Sequence, residues 1–150
     1  MANEIRHVFH LKCKPDAVIK ALTEASGIQK WWTTQAQVFG GVGVFQWKDY
    51  GWTVELVIKR GGAGRVDWAC RKSNMQNTNA WESTTMRFAV TPEGEGVRLD
   101  FAQVGYRDSP CYNVCSEGWK FFLGTSLKLY LETGTGAPYP LTVESGKKAA

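Results

Sequence analysis

Polar and apolar positions alternate near the start of the chain. Ile5, His7, Phe9 and Leu11 fall on one face, with Glu4, Arg6, His10 and Lys12 on the other. That period of two predicts a strand. Pro15 then suits a first helical turn, and Asp16 suits the positive end of a helix dipole. Ala17, Val18, Ala21 and Leu22 follow at helical spacing, with Gly27 as the stop. A second short helix is predicted over Ile28 to Trp32.

From Gln35 to Arg107 the period of two returns, interrupted by turn residues. The breaks are Gly40-Gly41, Asp49-Tyr50-Gly51, Gly61-Gly62-Ala63-Gly64 and Pro92-Glu93-Gly94-Glu95-Gly96. Between them Trp52, Val54, Leu56 and Ile58 alternate with polar residues, as do Val66, Trp68 and Cys70. Thr84, Met86, Phe88 and Val90 do the same, followed by Val97, Leu99 and Phe101. This predicts an antiparallel sheet with one covered face.

The pattern changes again over residues 110–133. Cys115, Trp119, Phe122, Leu123, Ser126, Leu127 and Tyr130 recur at helical spacing, with Lys120, Lys128 and Glu132 opposite and Gly134 as the close. At ~1.5 Å per residue such a helix spans ~36 Å, enough to cross a whole sheet. The fold class is therefore α+β. A curved antiparallel sheet of about six to seven strands would wrap around the long C-terminal helix, with two short helices after the first strand.

Several local motifs in this order carry a resemblance. They are Lys14-Pro15-Asp16-Ala17-Val18, Gly27-Ile28-Gln29-Lys30-Trp31-Trp32 and Gly40-Gly41-Val42. The paired strands at 84–91 and 96–103 follow, then Gly118-Trp119 through Leu131-Glu132-Thr133-Gly134 with Pro138. The chain resembles the START-like (birch-pollen-allergen-like, SRPBCC) superfamily over residues 3–138. Within it, the chain is most similar to the branch related to the activator of heat-shock-protein-90 ATPase. The resemblance implies a helix-grip domain over residues 1–138, with a cavity between sheet and helix, and a tail over 139–150. The superfamily includes lipid and hormone carriers, polyketide cyclases, toxin–antitoxin-type partners and co-chaperone domains, so the fold does not choose among functions.

Composition adds one strong signal. The 150 residues are 43% hydrophobic and 21% charged, ordinary for a single globular domain. Tryptophan is the exception: there are seven, beside seven Phe and five Tyr. That exceeds what a compact core requires and points to a cavity or groove lined with rings. The net charge of +4 is mild and its cations are interspersed with acids. Lys59, Arg60, Arg65, Arg71 and Lys72 cluster locally, and read as charged strand edges rather than a nucleic-acid surface. No apolar run approaches ~18 residues, and the charged start lacks the apolar region of an export signal. The expectation is a cytoplasmic protein with no nucleic-acid or membrane partner, whose Cys13, Cys70, Cys111 and Cys115 are reduced.

Candidate chemistry is sparse. His7, His10 and Cys13 are ligand types, but a strand places His10 on the face opposite His7 and Cys13, so no metal site is expected. Cys111 and Cys115 share a helical face near a helix start, where the small buried hydrophobe is favoured over the reactive thiol. No nucleophile elbow, phosphate loop or dinucleotide fingerprint occurs, so no catalytic residue or cofactor is assigned.

Polar residues in inward slots are the sharpest feature. His7 shares the face of Phe9, Glu82 the parity of Thr84 and Met86, and Gln103 the parity of Phe101. A buried polar group without a partner costs ~1–3 kcal/mol. Each could be satisfied locally, as a core histidine or a strand-end residue reaching solvent. Taken together they favour a cavity whose contents supply the partners. Its candidate walls are Trp68, Met86, Phe101, Trp119, Phe122 and Leu123, while Trp47 and Trp81 are assigned to the core. Of the adjacent Trp31 and Trp32, one packs inward and the other caps the mouth or lies exposed; Trp32 is a further candidate for the site.

The function expected is binding of a small hydrophobic, lipid- or polyketide-like molecule. The resemblance also implies two alternatives: a co-chaperone-like domain with a chaperone partner, or a cyclase-like enzyme using His7 or Glu82 as proton carrier. Thiol titration of denatured protein without reductant should find four thiols, and two or fewer would overturn the reduced assignment.

Overall fold

The alternation at the start of the chain forms β1 (Glu4–Leu11), with Ile5 and Leu11 buried and Arg6, Val8 and His10 exposed. The structure is a computed structural model that describes residues 4–106 and 112–140. After β1 come α1 (Pro15–Thr23), α2 (Ala25–Ile28), β2 (Ala36–Phe39), β3 (Val42–Trp47) and β4 (Trp52–Arg60). Then follow β5 (Arg65–Ser73), β6 (Thr85–Glu93) and β7 (Gly96–Val104). The seven strands form one sheet in the order β1-β7-β6-β5-β4-β3-β2, every neighbouring pair antiparallel.

The C-terminal helix runs over residues 112–133 in three continuous parts. These are α3 (Tyr112–Phe121), a π-helical turn (Phe122–Leu127) and α4 (Lys128–Thr133). Its buried residues Cys115, Trp119, Leu123 and Leu127 face the inner side of the sheet, where Leu56, Trp68, Met86, Phe88, Leu99 and Phe101 meet them. This is the helix-grip arrangement of a curved sheet around one long helix. Pro110 and Cys111, where the sequence pattern starts the helix, lie outside the described residues.

Sheet curvature has a local cause. Glu55 pairs with Lys72 and Leu56 with Cys70, so Arg71 is the extra residue of a β-bulge. A bulge bends its strand and increases the local twist. It also lets Cys70 and Ser73, which differ in parity, both be buried.

The short helices differ from the sequence reading. Gly27 does not stop α1, which ends at Thr23 where Glu24 turns extended. Gly27 lies inside α2 and makes the close approach between the two helices. A Cβ there would sit 2.8 Å from both the Ala21 Cα and the Lys20 carbonyl oxygen. The second helix is Ala25–Ile28 rather than Ile28 to Trp32. The Trp31 Nε1 donates to the Ala21 carbonyl at 2.8 Å, drawing that indole back over α1. Both Trp31 and Trp32 are buried, so neither is an exposed cap.

The π turn has a packing role. Gly124 lets it lie against Phe9, whose ring would be 2.7 Å from an added Cβ. Ser126 Oγ donates to the Trp31 carbonyl at 2.7 Å and accepts from the Ala137 N–H at 2.8 Å. After Gly134 closes the helix in a left-handed conformation, the chain returns beside residue 33. Tyr139 donates its N–H to the Trp32 carbonyl, and its own carbonyl accepts from the Thr34 N–H.

The atoms facing Gly27 are backbone and cannot swing aside. Gly27→Ala should therefore cost about 1–3 kcal/mol, lowering the melting temperature by roughly 3–10 °C. A calorimetric midpoint unchanged to within a degree would show that α1 and α2 can separate freely.

Candidate functional site

One buried chain of hydrogen bonds fixes the helix to the sheet. Trp119 Nε1 donates to Gln103 Oε1 at 2.9 Å, and Gln103 Nε2 donates to Thr84 Oγ1 at 3.1 Å. Thr84 Oγ1 donates in turn to the Trp81 carbonyl at 2.6 Å. Gln103, Thr84, Trp81 and Trp119 are all buried. Helix, β7 and the turn before β6 are thereby held in one register, and two indoles are set side by side.

Those indoles belong to a larger aromatic assembly centred on Trp32. Trp32 stacks within 27° of Trp68 and within 26° of Trp119, with centroids 5.1 and 5.4 Å away. Trp81 lies 5.5 Å from Trp119 with the planes 15° apart, and Trp47 meets Trp32 edge-on at 5.0 Å. Stacked and edge-to-face contacts each add ~0.5–1.5 kcal/mol beyond burial of area.

The assembly is not closed on all sides. At the end of the sheet near the β3–β4 turn it borders a groove of about 390 Å³. Trp47, Tyr50 and Trp52 supply the wall from that turn, and Met75, Gln76 and Trp81 the wall from the β5–β6 connection. The helix contributes Val114, Cys115, Gly118, Trp119 and Phe122, while Trp32 and Tyr139 complete the lining. Five of the seven tryptophans border this space, and among the described residues no Asp, Glu, Lys or Arg does. Tyr50 and Val114 form the lip, 47% and 53% exposed.

Of the residues nominated from sequence, Trp32, Trp119 and Phe122 line the groove. Trp68 does not: it is fully buried, with its Nε1 donating to the Leu22 carbonyl at 2.9 Å. Met86, Phe101 and Leu123 are also core residues, at most 2% exposed. The polar trio does not line it either. Gln103 is satisfied by Trp119 and Thr84. His7 is half-buried, with Nε2 3.0 Å from the Ser116 carbonyl, which pins β1 to α3. Glu82 sits in the turn ahead of β6, where its carboxylate accepts from the Ser73 N–H at 3.3 Å. Ser83 has φ 71°, which breaks the alternation from which Glu82 was read as inward.

The sequence reading placed Trp47 and Trp81 in the core, where both are buried, and nominated neither them nor Tyr50, Trp52, Met75, Gln76 and Gly118 for the site. The available signal was position. Tyr50 and Trp52 flank the Gly51 turn, and Trp81 follows an Asn/Ser/Thr-rich stretch, so these aromatics sit at sheet ends rather than mid-strand.

The titratable groups offer little chemistry. Among the described residues no group of three or more His, Cys, Asp or Glu could hold a metal ion. Burial pushes the Cys70 thiol up to about 12, helped by the nearby Glu82 and Glu55 carboxylates. Burial also raises Cys13. The Cys111–Cys115 pairing lies partly outside the described residues. No helix among the described residues is long and apolar enough to cross a membrane.

No protein-family model and no curated protein matches the chain. Solved structures do. The solution structure of the Aha1 dimer from Colwellia psychrerythraea superposes with a TM-score of 0.76 at 24% identity, covering 89% of this chain and 98% of that one. The chain has the helix-grip fold. Protein SSP2350 from Staphylococcus saprophyticus matches with a TM-score of 0.67 at 16% identity, over 89% of this chain and 94% of that chain. DynU16, from the dynemicin biosynthetic locus, matches with a TM-score of 0.62 at 17% identity, covering 91% of this chain and 49% of its own. These likenesses are of fold.

Replacing Gln103 by Met keeps the volume but leaves the Trp119 N–H without an acceptor. Gln103→Met should cost about 1–3 kcal/mol, read from urea denaturation; a smaller loss would mean the network does not hold the helix. In native protein at pH 8, Cys70 should resist iodoacetamide, because a thiol raised to about 12 is almost wholly protonated there. Rapid alkylation at Cys70, located by peptide mass spectrometry, would contradict its buried placement.

Proposed function

We propose that this protein binds a small, largely apolar molecule in the aromatic groove between the C-terminal helix and the end of the sheet. The observation that carries the reading is Gly118. It lies inside α3, where glycine costs ~1 kcal/mol relative to alanine. An added Cβ there meets no heavy atom within 4 Å, so close packing does not require glycine. It lies on the groove wall, opposite aromatic side chains. The missing side chain keeps open a space that the protein could otherwise fill.

The lining supports binding over acid–base chemistry. The candidate proton carriers His7 and Glu82 do not line the groove and are engaged with Ser116 and Ser73. Lipid carriers and cyclases share this fold, and DynU16 comes from a biosynthetic locus, which agrees with a small organic ligand without naming one.

Nile red, an uncharged apolar fluorophore, should bind with a micromolar dissociation constant, about 8 kcal/mol. Gly118→Leu should weaken it at least tenfold while leaving the melting temperature equal or higher, since leucine is the better helix former. Absence of binding to the unaltered protein, or equal affinity for both proteins, would overturn the reading.

A further inference from the structure

We propose that the Trp81 indole N–H is the polar anchor of this groove, and that it selects a flat, uncharged aromatic molecule bearing a hydrogen-bond acceptor such as a ketone oxygen. The inference rests on the groove being a ligand site. Trp81 is 4% exposed and forms part of the groove wall, yet its Nε1 has no acceptor among the described residues. Trp31, Trp68 and Trp119 each donate to a protein oxygen within 2.9 Å. A buried donor left unmade is costly, and a ligand oxygen that enters beside Trp81 and displaces the atoms now covering Nε1 would satisfy it.

The surroundings specify the rest of the molecule. Trp81 lies within 15° of the planes of both Trp119 and Trp32, so a flat ring can extend a near-parallel set. Among the described residues no Asp, Glu, Lys or Arg borders the groove, so a carboxylate or ammonium would lose its water without gaining a charged partner there. Neutrality follows from that.

The backbone around Trp81 is held unusually. Gln76, Asn77 and Ser83 have positive φ of 58°, 60° and 71°, a region that side-chain-bearing residues rarely adopt. Such outliers gather at ligand clamps and persist where the surroundings impose them. Here Asn74 Oδ1 accepts from the Thr53 N–H, and the Trp81 carbonyl accepts from Thr84, fixing both ends of the segment.

The test compares 2-acetonaphthone with 2-ethylnaphthalene, which has a similar outline but no acceptor, and with 2-naphthoate, which is charged. Titration calorimetry on the unaltered protein should show binding of the ketone and the hydrocarbon, and weaker binding of the carboxylate. Trp81→Phe should weaken the ketone about tenfold and the hydrocarbon less than twofold. In ¹H–¹⁵N spectra of the unaltered protein, the ketone alone should move the Trp81 indole proton downfield, a readout that stands even if Trp81→Phe fails to fold. If ketone and hydrocarbon lose affinity equally in Trp81→Phe, or that resonance does not respond, the anchor is wrong while the groove reading survives. If neither naphthalene binds, the groove reading itself falls.

Discussion

The hydrogen bond from Trp119 to Gln103 sets the relation between helix and sheet. An indole on the buried stripe of a helix needs an acceptor, and a strand-borne amide facing inward needs a donor. Each group answers the other at 2.9 Å in a site from which water is excluded. Gln103 has a second valence to satisfy and spends it on Thr84, which holds the Trp81 carbonyl. The consequence is positional: α3 cannot slide along the sheet without breaking the bond. Trp81 and Trp119 are therefore parallel neighbours because the polar network sets their backbones, while the stacking contact adds to it.

Around that bond the aromatic side chains serve two ends. Trp31 and Trp68 face the two-helix segment, each donating to a carbonyl of α1, and they fill the sheet's concave side as ordinary core residues. Trp32 lies between that group and the groove, touching Trp68 on one side and Trp81, Trp119 and Trp47 on the other. From Trp32 outward the packing opens into the groove. Gly118 supplies no side chain on the helix side, and Tyr50 and Trp52 stack on each other, 4.5 Å apart, rather than reaching inward.

The sheet, its meander order and the long helix were legible because each rests on a repeating pattern. The alternation through Trp68 and Cys70, and the helical run from Cys115 to Tyr130, read directly as buried faces. Patterns stop at element ends, and the groove is built from ends. Trp81 follows a stretch whose positive-φ residues have no periodic signature, so parity placed Glu82 inward when it lies in a turn. Gln103 was rightly seen to face inward. Its partner, Trp119, lies 16 residues away on another element, and sequence spacing gives no means of pairing them. The inference from inward polar groups to a cavity failed for that reason. The aromatic excess depends on no pairing, and five of the seven tryptophans border the groove.

The groove is also shaped in advance of any occupant. Its lip is the 3-10 turn Lys48–Tyr50, and the Tyr139 hydroxyl accepts from the Asp49 N–H at 2.8 Å, tying that turn to the segment after the helix. The same segment is bonded to Trp32, at the inner end of the groove, through the Tyr139 N–H. Tyr50 rests on Trp52 and Tyr139, so the rings at the rim brace one another. A ligand entering such a site need not order loops, and that ordering is one of the costs that keep buried area from converting into affinity. The fold supplies the grip of sheet on helix, whereas selectivity would reside in turns and helix positions that can vary without disturbing it.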